Sequence, residues 1–283
     1  TIAWAMECWK EGKLTAEDTG GLELNYGDAE MMVKLTEMIA KRVGFGDLLA
    51  EGSKKAAERI GRWTEDFLIT SKGQEAPAHM PQVKRSLSVI YAANPFGADH
   101  MSSEHDASYK DYPERMSFIG LNNPQPKRSL NEEMMRFAMV TQHVYSAMDS
   151  VNVCQFVYGP AWQLYGTDQL VELIGAVTGW DVSVDELLEV GERRVNMMRL
   201  FNAREGIGRE SDTLPKKMFN RPLRGGRSDG FHIDREEWEK ALEDYYRLNQ
   251  WNVETGYPKR EKLENLKLSW VVNENPELAA NLG

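Results

Sequence analysis

Cysteine is scarce in this sequence of 283 residues. The chain contains only Cys8 and Cys154, so it cannot form a disulfide framework or, by itself, a site built from four thiolates. A lone cysteine is more often a small apolar group of the core than a metal ligand. The residues alone therefore make either thiol a weak candidate for a site.

Long apolar runs and a surplus of positive charge are also missing. No run approaches the roughly 20 apolar residues that span a bilayer, and no secretory signal is visible. The formal net charge of -10 and the sequence pI near 5.2 disfavour nucleic acid as a partner. With 41% hydrophobic and 28% charged residues, the sequence predicts a soluble, globular, cytoplasmic protein.

The beginning of the sequence has no polar lead-in. Thr1 stands where a native chain has Met, and the apolar residues Ile2, Ala3, Ala5 and Met6 follow at once. Native amino termini are usually polar and loosely held. We therefore expect a truncated or processed chain.

Helix signals dominate the rest of the sequence. Polar residues that can cap a first helical turn precede apolar residues at helical spacing. These capping positions are Asp28, Ser129 or Asn131, Ser183 with Glu186, and Asp234. The first of these helices should stop at Gly44, a second should run from about Leu48 to Gly61, and another should lie between Thr167 and Gly179.

Two segments depart from this helical pattern. Phe67 to Thr70 is aromatic and β-branched, which makes it the best strand candidate. Residues 73–130 are interrupted by prolines such as Pro77, Pro95 and Pro113, and they predict long ordered loops with short helices. The expected fold class is mainly α, with irregular helical domains and long ordered loops.

Histidines and carboxylates crowd one of these loops. The segment from Asn94 to Asp106 contains Asp99, His100, Glu104 and His105, which could bind a metal or exchange protons near neutral pH. His100 and His105 are not spaced to share one helical face. One alternative is therefore a metal-dependent hydrolase using His100, Glu104 and His105. The other is a polar turn in which Asp99 and Asp106 cap helices.

Two further segments carry polar residues in unusual density. Asp149-Ser-Val-Asn-Val-Cys154 follows a predicted helix and offers a carboxylate and free backbone N–H groups to a polar ligand. Phe201 to Pro215 contains arginines and carboxylates but no nucleophile. An ion-pair network that fastens a helix end is the favoured interpretation there.

Together these segments resemble the aldehyde:ferredoxin oxidoreductase family, tungsten enzymes with a bis-pterin metal centre beside a [4Fe–4S] cluster. The resemblance covers nearly the whole chain. It rests on the segments Leu22-Glu-Leu-Asn-Tyr-Gly-Asp-Ala-Glu30, Gly44-Phe-Gly-Asp-Leu-Leu-Ala-Glu-Gly52, Thr178-Gly-Trp180, Asn202-Ala-Arg-Glu-Gly206, Asp212-Thr-Leu-Pro215 and Gly256-Tyr-Pro258. It implies that residues 1–75 are the remainder of the middle helical domain and that residues 76–283 form the carboxy-terminal helical domain.

The resemblance also assigns roles to the residues of the second segment. The family motif D-x-x-G-L-C corresponds to residues 149–154, so that Asp149, Ser150, Asn152 and Val153 would bind the pterin and Cys154 would ligate iron. Asn152 replaces the usual Gly, which is tolerable because Asn adopts left-handed backbone conformations more easily than most residues. The active-site His of the family's G-A-x-H segment would be His100. Ser102 stands where many members carry a basic residue that reaches the pterin phosphates.

The implied activity is the oxidation of an aldehyde to a carboxylic acid with water as the oxygen source. Electrons would pass from a tungsten or molybdenum bis-pterin to the [4Fe–4S] cluster and on to ferredoxin or an electron-transfer subunit. The resemblance is compatible with a homo- or hetero-oligomer. An acidic ferredoxin would need a basic patch, and the candidates are Lys216, Lys217, Arg221, Arg224 and Arg227. The other cluster ligands have no counterpart here, so the chain alone should be inactive. A non-catalytic, fold-completing segment is a further alternative.

Overall fold

The computed structural model describes residues 1–282 and is mainly helical, with 55% of the chain in helices. This confirms the expected fold class. The α-helices are α1 (Ile2–Lys10), α2 (Ala16–Thr19), α3 (Ala29–Lys41), α4 (Phe45–Leu49), α5 (Ser53–Ile60), α6 (Arg85–Ala93), α7 (Ser108–Asp111), α8 (Pro113–Ser117), α9 (Glu132–Ser150), α10 (Thr167–Thr178), α11 (Val184–Arg204), α12 (Lys216–Asn220), α13 (Arg235–Leu248), α14 (Arg260–Asn265), α15 (Ser269–Asn273) and α16 (Pro276–Asn281). A hairpin of β1 (Thr70–Ser71) and β2 (Gln74–Glu75) pairs antiparallel. No helix within residues 1–282 combines the length and the apolar character needed to cross a membrane.

Four helices begin at the capping residues that the sequence predicts. Each capping side chain accepts a hydrogen bond from the backbone N–H three residues on, at 2.8 to 3.1 Å, and the residues are Asp28, Asn131, Ser183 and Asp234. Each bond satisfies a donor that the helix itself leaves unpaired, which stabilises a helix by about 1 kcal/mol. The helix from Thr167 also ends as predicted, at Gly179 in the left-handed conformation.

Two predicted helix boundaries are wrong. The helix begun at Asp28 ends at Lys41, because Arg42 adopts a left-handed conformation with φ of 52°. The segment expected as one helix up to Gly61 is two helices, α4 and α5, separated at Gly52 with φ of 86°. A positive φ cannot continue a right-handed helix, so the chain turns there.

The predicted strand is also largely wrong. Phe67 ends a short 3-10 helix (Thr64–Phe67), and only Thr70 of the predicted segment pairs in β1. The Phe67 side chain is 4% exposed and packs in the core of the amino-terminal helices. Its aromatic character therefore reflects core packing rather than strand pairing.

The helices enclose separate apolar clusters. Buried residues of α1, α3, α4 and α5 form an amino-terminal core, which includes Cys8, as expected for a core thiol. The main core is formed by α6, α9 and α13, and α11 packs against α9. These two helices approach closely at Gly191, where a Cβ would lie 1.8 Å from the His143 carbonyl oxygen. A third cluster joins the end of α11 to α14, α15 and α16. The domain boundary between residues 75 and 76 stays a prediction.

A buried group of charges ties the main core together. The Asp212 carboxylate accepts hydrogen bonds from Arg199 of α11 at 3.0 Å and from Tyr246 of α13, and it pairs at 2.6 Å with Lys72 of the hairpin. Burial lowers the pKa of the Lys72 amine, and Asp212 opposes that shift. Arg199 also donates to the Gly256 carbonyl at 2.7 Å, and a Cβ at Gly256 would lie 2.3 Å from the guanidinium. The glycine is therefore required at this position.

Substitution of Asp212 tests the importance of this group. Asp212→Asn removes the carboxylate that Arg199 and Lys72 share, and an uncompensated buried charge typically costs about 3–5 kcal/mol. We expect the free energy of unfolding in denaturant to fall by that order. The matched control is Asp111→Asn, which breaks the exposed pair with Lys127 and should cost less than about 1 kcal/mol. Equal effects of the two substitutions would contradict this assignment.

Candidate functional site

The turn between α6 and His100 is held by hydrogen bonds to its backbone carbonyls. Lys72 donates to the Ala92 carbonyl, Arg199 donates to the Ala93 carbonyl at 3.3 Å, and Asn202 donates to the Pro95 carbonyl at 2.7 Å. Gly97 in this turn has φ of 102°, and a Cβ there would lie 2.5 Å from the Ser71 carbonyl oxygen. The hairpin thus packs directly on the turn, and the backbone that carries His100 is fixed from several sides.

His100 lies beside two other histidines. The ring centroids of His79 and His100 are 5.0 Å apart, those of His79 and His105 are 4.3 Å apart, and those of His100 and His105 are 6.2 Å apart. The three rings line a cavity of about 270 Å³, whose other walls are Met101, Glu104, Tyr145, Phe156 and Trp162. His79 could not be predicted as part of this cavity, because it is distant in sequence from the segment that contains the other two histidines.

Burial lowers the pKa of two of these histidines, His105 and His79. It lowers the pKa of His105 to about 4, and the Lys84 ammonium and His79 add to the effect. Burial, followed by His100 and Lys84, also lowers the pKa of His79. Both rings are therefore neutral near pH 7. The Nδ1 atom of His100 is buried without a hydrogen-bond partner among the described residues.

Glu104 is committed to structural hydrogen bonds. The Oε1 atom accepts hydrogen bonds from the His105 backbone N–H at 3.0 Å and from the Ser108 hydroxyl at 3.1 Å. The Oε2 atom accepts hydrogen bonds from the Tyr145 hydroxyl at 2.8 Å and from the Gln163 side-chain amide at 3.1 Å. These donors use the acceptor capacity of a carboxylate. Within residues 1–282, no three His, Cys, Asp or Glu side chains are grouped so that they could hold a metal ion. The geometry therefore gives no support to the hydrolase alternative built on His100, Glu104 and His105.

The two aspartates of this segment have structural roles. Asp106 accepts a hydrogen bond at 2.8 Å from the Ser86 backbone N–H and so caps α6 from a distant loop. Burial raises the pKa of the Asp106 carboxyl. Asp99 accepts from Ser102 at 2.6 Å and closes a turn. The expectation that both cap helices is right for Asp106 and wrong for Asp99.

The predicted cofactor segment forms the turn that ends α9. Asn152 adopts a left-handed conformation with φ of 56°, as its replacement of a glycine led us to expect. Its backbone N–H donates to the Asp149 carbonyl at 3.3 Å, and that of Val153 donates to the Met148 carbonyl at 3.2 Å. Val153 packs against the main core, whereas the Cys154 thiol is exposed. The turn thus presents Cys154 outward rather than burying it.

Asp149 is exposed but already oriented by neighbouring donors. Gln155 donates to one carboxylate oxygen at 3.0 Å, and Arg194 of α11 lies 3.1 Å from the other. Arg194 also donates to the Ser146 hydroxyl at 3.1 Å. Ser150 donates its hydroxyl back to the Ser146 carbonyl at 3.0 Å, so this side chain is turned toward the helix. Sequence analysis did not identify Arg194, whose partners come from a different helix.

The structure brings the two predicted site segments together. Phe156, which follows Cys154 in the same loop, lines the cavity that contains His100. Asp149 lines a narrow neighbouring cleft together with Ser102 of the His100 segment. Tyr145 lines both the cavity and the cleft, so residues of the two predicted segments lie around adjoining hollows.

The third predicted segment has the structural role that we favoured. Arg209 pairs with Glu239 of α13 at 3.1 Å, and Asp212 belongs to the buried charged group. The partners come mainly from α11 and α13 rather than from within the segment. Two of the candidate basic residues for a partner, Lys217 and Arg221, pair with Glu7 of α1.

Comparison with known proteins identifies the family. The model described as "Aldehyde ferredoxin oxidoreductase, domains 2 & 3" matches residues 1–268. The chain belongs to the aldehyde ferredoxin oxidoreductase family. It is 32% identical over 273 residues to the tungsten-containing aldehyde ferredoxin oxidoreductase of Pyrococcus horikoshii and 33% identical over the same length to that of Pyrococcus abyssi. Each match covers 95% of this chain and 42% of the relative, so the chain spans about two fifths of these relatives.

Two more distant matches are a curated protein and a solved structure. The aliphatic sulfonate oxidoreductase, WOR-like subunit, of Pyrococcus furiosus is 27% identical over 277 residues, which cover 94% of this chain and 39% of that protein. The active-site complex BamBC of benzoyl coenzyme A reductase, solved with 1,5-dienoyl-CoA, superposes with a TM-score of 0.71 at 21% identity. That match covers 96% of this chain and 44% of the solved chain and shows the shared fold.

The different environments of the two cysteines predict different reactivity. Cys154 is exposed, whereas burial raises the pKa of the Cys8 thiol to about 12. Since the thiolate is the reactive form, a water-soluble maleimide should label one thiol per native chain, at Cys154. The second thiol should react only in denaturant. Mass spectrometry of Cys154→Ser and Cys8→Ser chains checks the assignment, and labelling of Cys8 in the native chain would refute it.

Proposed function

We propose that this chain supplies the cofactor-facing carboxy-terminal part of a tungsten or molybdenum oxidoreductase that oxidises aldehydes to carboxylic acids. The observation that carries the proposal is the exposed Cys154 thiol at the end of the left-handed turn at Asn152, in a chain of this family. A core cysteine would be buried at this position. An outward thiol is suited to ligating a metal centre.

The residues of the turn fit the implied cofactors. Asp149 would hold the pterin through its carboxylate, and Cys154 would ligate one iron. Ser150, Asn152 and Val153 would also contact the pterin. When bound, the pterin–metal group supplies two-electron redox chemistry and the [4Fe–4S] cluster supplies single-electron transfer. Cys8 is 0% exposed within the amino-terminal core, so the remaining cluster ligands would come from residues outside this sequence. By itself, the chain would not catalyse the reaction.

His100 is the proposed catalytic residue of this chain. Its ring lines the cavity beside the Cys154 loop, where it would donate a hydrogen bond or a proton to the carbonyl oxygen of the aldehyde. The neighbouring His79 and His105 are neutral near pH 7, so neither would compete with His100 as a cation for the aldehyde oxygen. The tight main-chain support of the turn would keep His100 oriented toward the substrate.

The electron acceptor would be ferredoxin or an electron-transfer subunit in the cytoplasm. Of the basic residues considered for docking, Lys217 and Arg221 are paired with Glu7. Lys216, Arg224 and Arg227 form no salt bridge with the described part of the chain, and all three are exposed. These three residues would supply the positive surface that an acidic partner needs.

Replacing Cys154 tests the cluster assignment. In the enzyme that joins this chain to its upstream region, Cys154→Ser should lower the iron content per chain and alter the visible and EPR spectra of the cluster. The physical reason is the loss of one thiolate ligand. Cys8→Ser is the matched control and should retain iron and spectra. Wild-type iron content and spectra in Cys154→Ser would rule out the ligand role.

Replacing His100 tests the catalytic assignment in the same enzyme. Loss of a positioned general acid typically reduces turnover by about 10²- to 10⁴-fold, and we expect His100→Asn to do so with iron and tungsten contents unchanged. His232→Asn, at an exposed loop position, should keep normal turnover. Normal turnover in His100→Asn would remove this residue from the mechanism.

A further inference from the structure

Two aromatic side chains stand exposed at the rim of the His100 cavity. Phe156 is 62% exposed and Trp162 is 49% exposed, yet both line the cavity. Their ring centroids are 5.8 Å apart and their planes are inclined by 51°. Exposed apolar surface beside a concave site is typical of ligand binding.

The backbone around Trp162 is rigidly held. Gln163 accepts a hydrogen bond from the Ala161 backbone N–H at 3.0 Å and donates to Glu104 and Tyr145. Arg115 of α8 donates to the carbonyls of the residues on both sides of Trp162, Ala161 at 2.9 Å and Gln163 at 2.6 Å. A Cβ at Gly159 would lie 2.4 Å from the Gln163 side chain. The indole is therefore presented by a fixed loop, which lowers the entropy cost of binding a ligand.

The remaining walls leave few polar groups free for a ligand. Glu104 and Tyr145 are occupied by hydrogen bonds to each other and to Gln163. His79 and His105 are neutral near pH 7, and Met101 contributes an apolar thioether to the wall. The cavity thus combines apolar and aromatic surface with the hydrogen-bonding imidazoles of His79, His100 and His105. Of these, His100 is the residue proposed above to bind the aldehyde oxygen.

We propose that Phe156 and Trp162 form a subsite for the ring of an aromatic aldehyde, an inference that rests on the aldehyde oxidation proposed above. A third ring can pack against such a pair at about 4.5–7 Å between centroids. The cavity of about 270 Å³ is smaller than the roughly 300–1,000 Å³ typical of drug-sized ligands. It therefore suits a single-ring aldehyde and is too small to enclose a nucleotide-bearing thioester.

Binding of an unreactive aromatic probe tests the subsite without any cofactor. Benzamide and propanamide would be titrated into the 283-residue chain and followed by ligand-observed NMR. Benzamide should bind more tightly, and Phe156→Leu and Trp162→Leu should each weaken it about threefold to tenfold. Leu164→Ala is the matched control, since Leu164 is 70% exposed in the same loop and outside the cavity. Equal binding of benzamide by wild type and both variants would overturn the proposal.

Turnover in the loaded enzyme separates this inference from the function on which it rests. The ratio of kcat/KM for benzaldehyde to that for acetaldehyde should fall in Trp162→Leu, mainly through KM, and should stay constant in Leu164→Ala. If aldehydes are oxidised but the ratio is unchanged in Trp162→Leu, the subsite is refuted and the proposed function stands. If the wild type oxidises no aldehyde while benzamide binding still requires both aromatic residues, the proposed function is refuted and the subsite stands.

Discussion

Two cations share one carboxylate in the interior, where Arg199 and Lys72 meet Asp212. The excess positive charge is partly offset by the carbonyls of Ala92 and Ala93, which accept hydrogen bonds from the same two cations. These carbonyls end α6, whose carboxy-terminal end carries about half a negative elementary charge. The two cations therefore have all of these partners only when the hairpin, α6 and α11 are assembled together. That assembly also determines where the chain leaves α6, and hence where His100 lies.

Glu104 has a comparable role on the other side of the cavity. Its carboxylate joins α9 through Tyr145 and the following loop through Gln163, so it holds two walls of the cavity at a fixed separation. The same bonds account for its lack of a free oxygen. A carboxylate beside histidines suggests a metal ligand when only the sequence is considered. In the fold it fixes the shape of the cavity.

The features that could be predicted from the sequence depend on interactions between residues that are close together in the chain. Helix caps such as Asp28 act through a backbone group three residues away, and the left-handed turn at Asn152 follows from the family motif and the tolerance of Asn. The aromatic rim and His79 could not be predicted, because the cavity joins segments that lie far apart in sequence. Arg199 was missed for the same reason, since its partners lie in distant loops. The predicted strand at residues 67–70 failed because an aromatic residue can satisfy core packing as well as strand pairing.

Cys154 imposes a constraint of a different kind. A cluster held by four thiolates cannot be completed with Cys8, whose thiol is buried in a separate core, so the redox centre would depend on residues outside this sequence. The cavity beside this turn is lined by His100 on one loop and by Phe156 and Trp162 on another. Cofactor binding would thus be divided between segments, whereas the proposed aromatic subsite would lie on this chain. Changes in the loop over residues 155–165 could therefore alter the preferred aldehyde without altering the ligands of the metal centre.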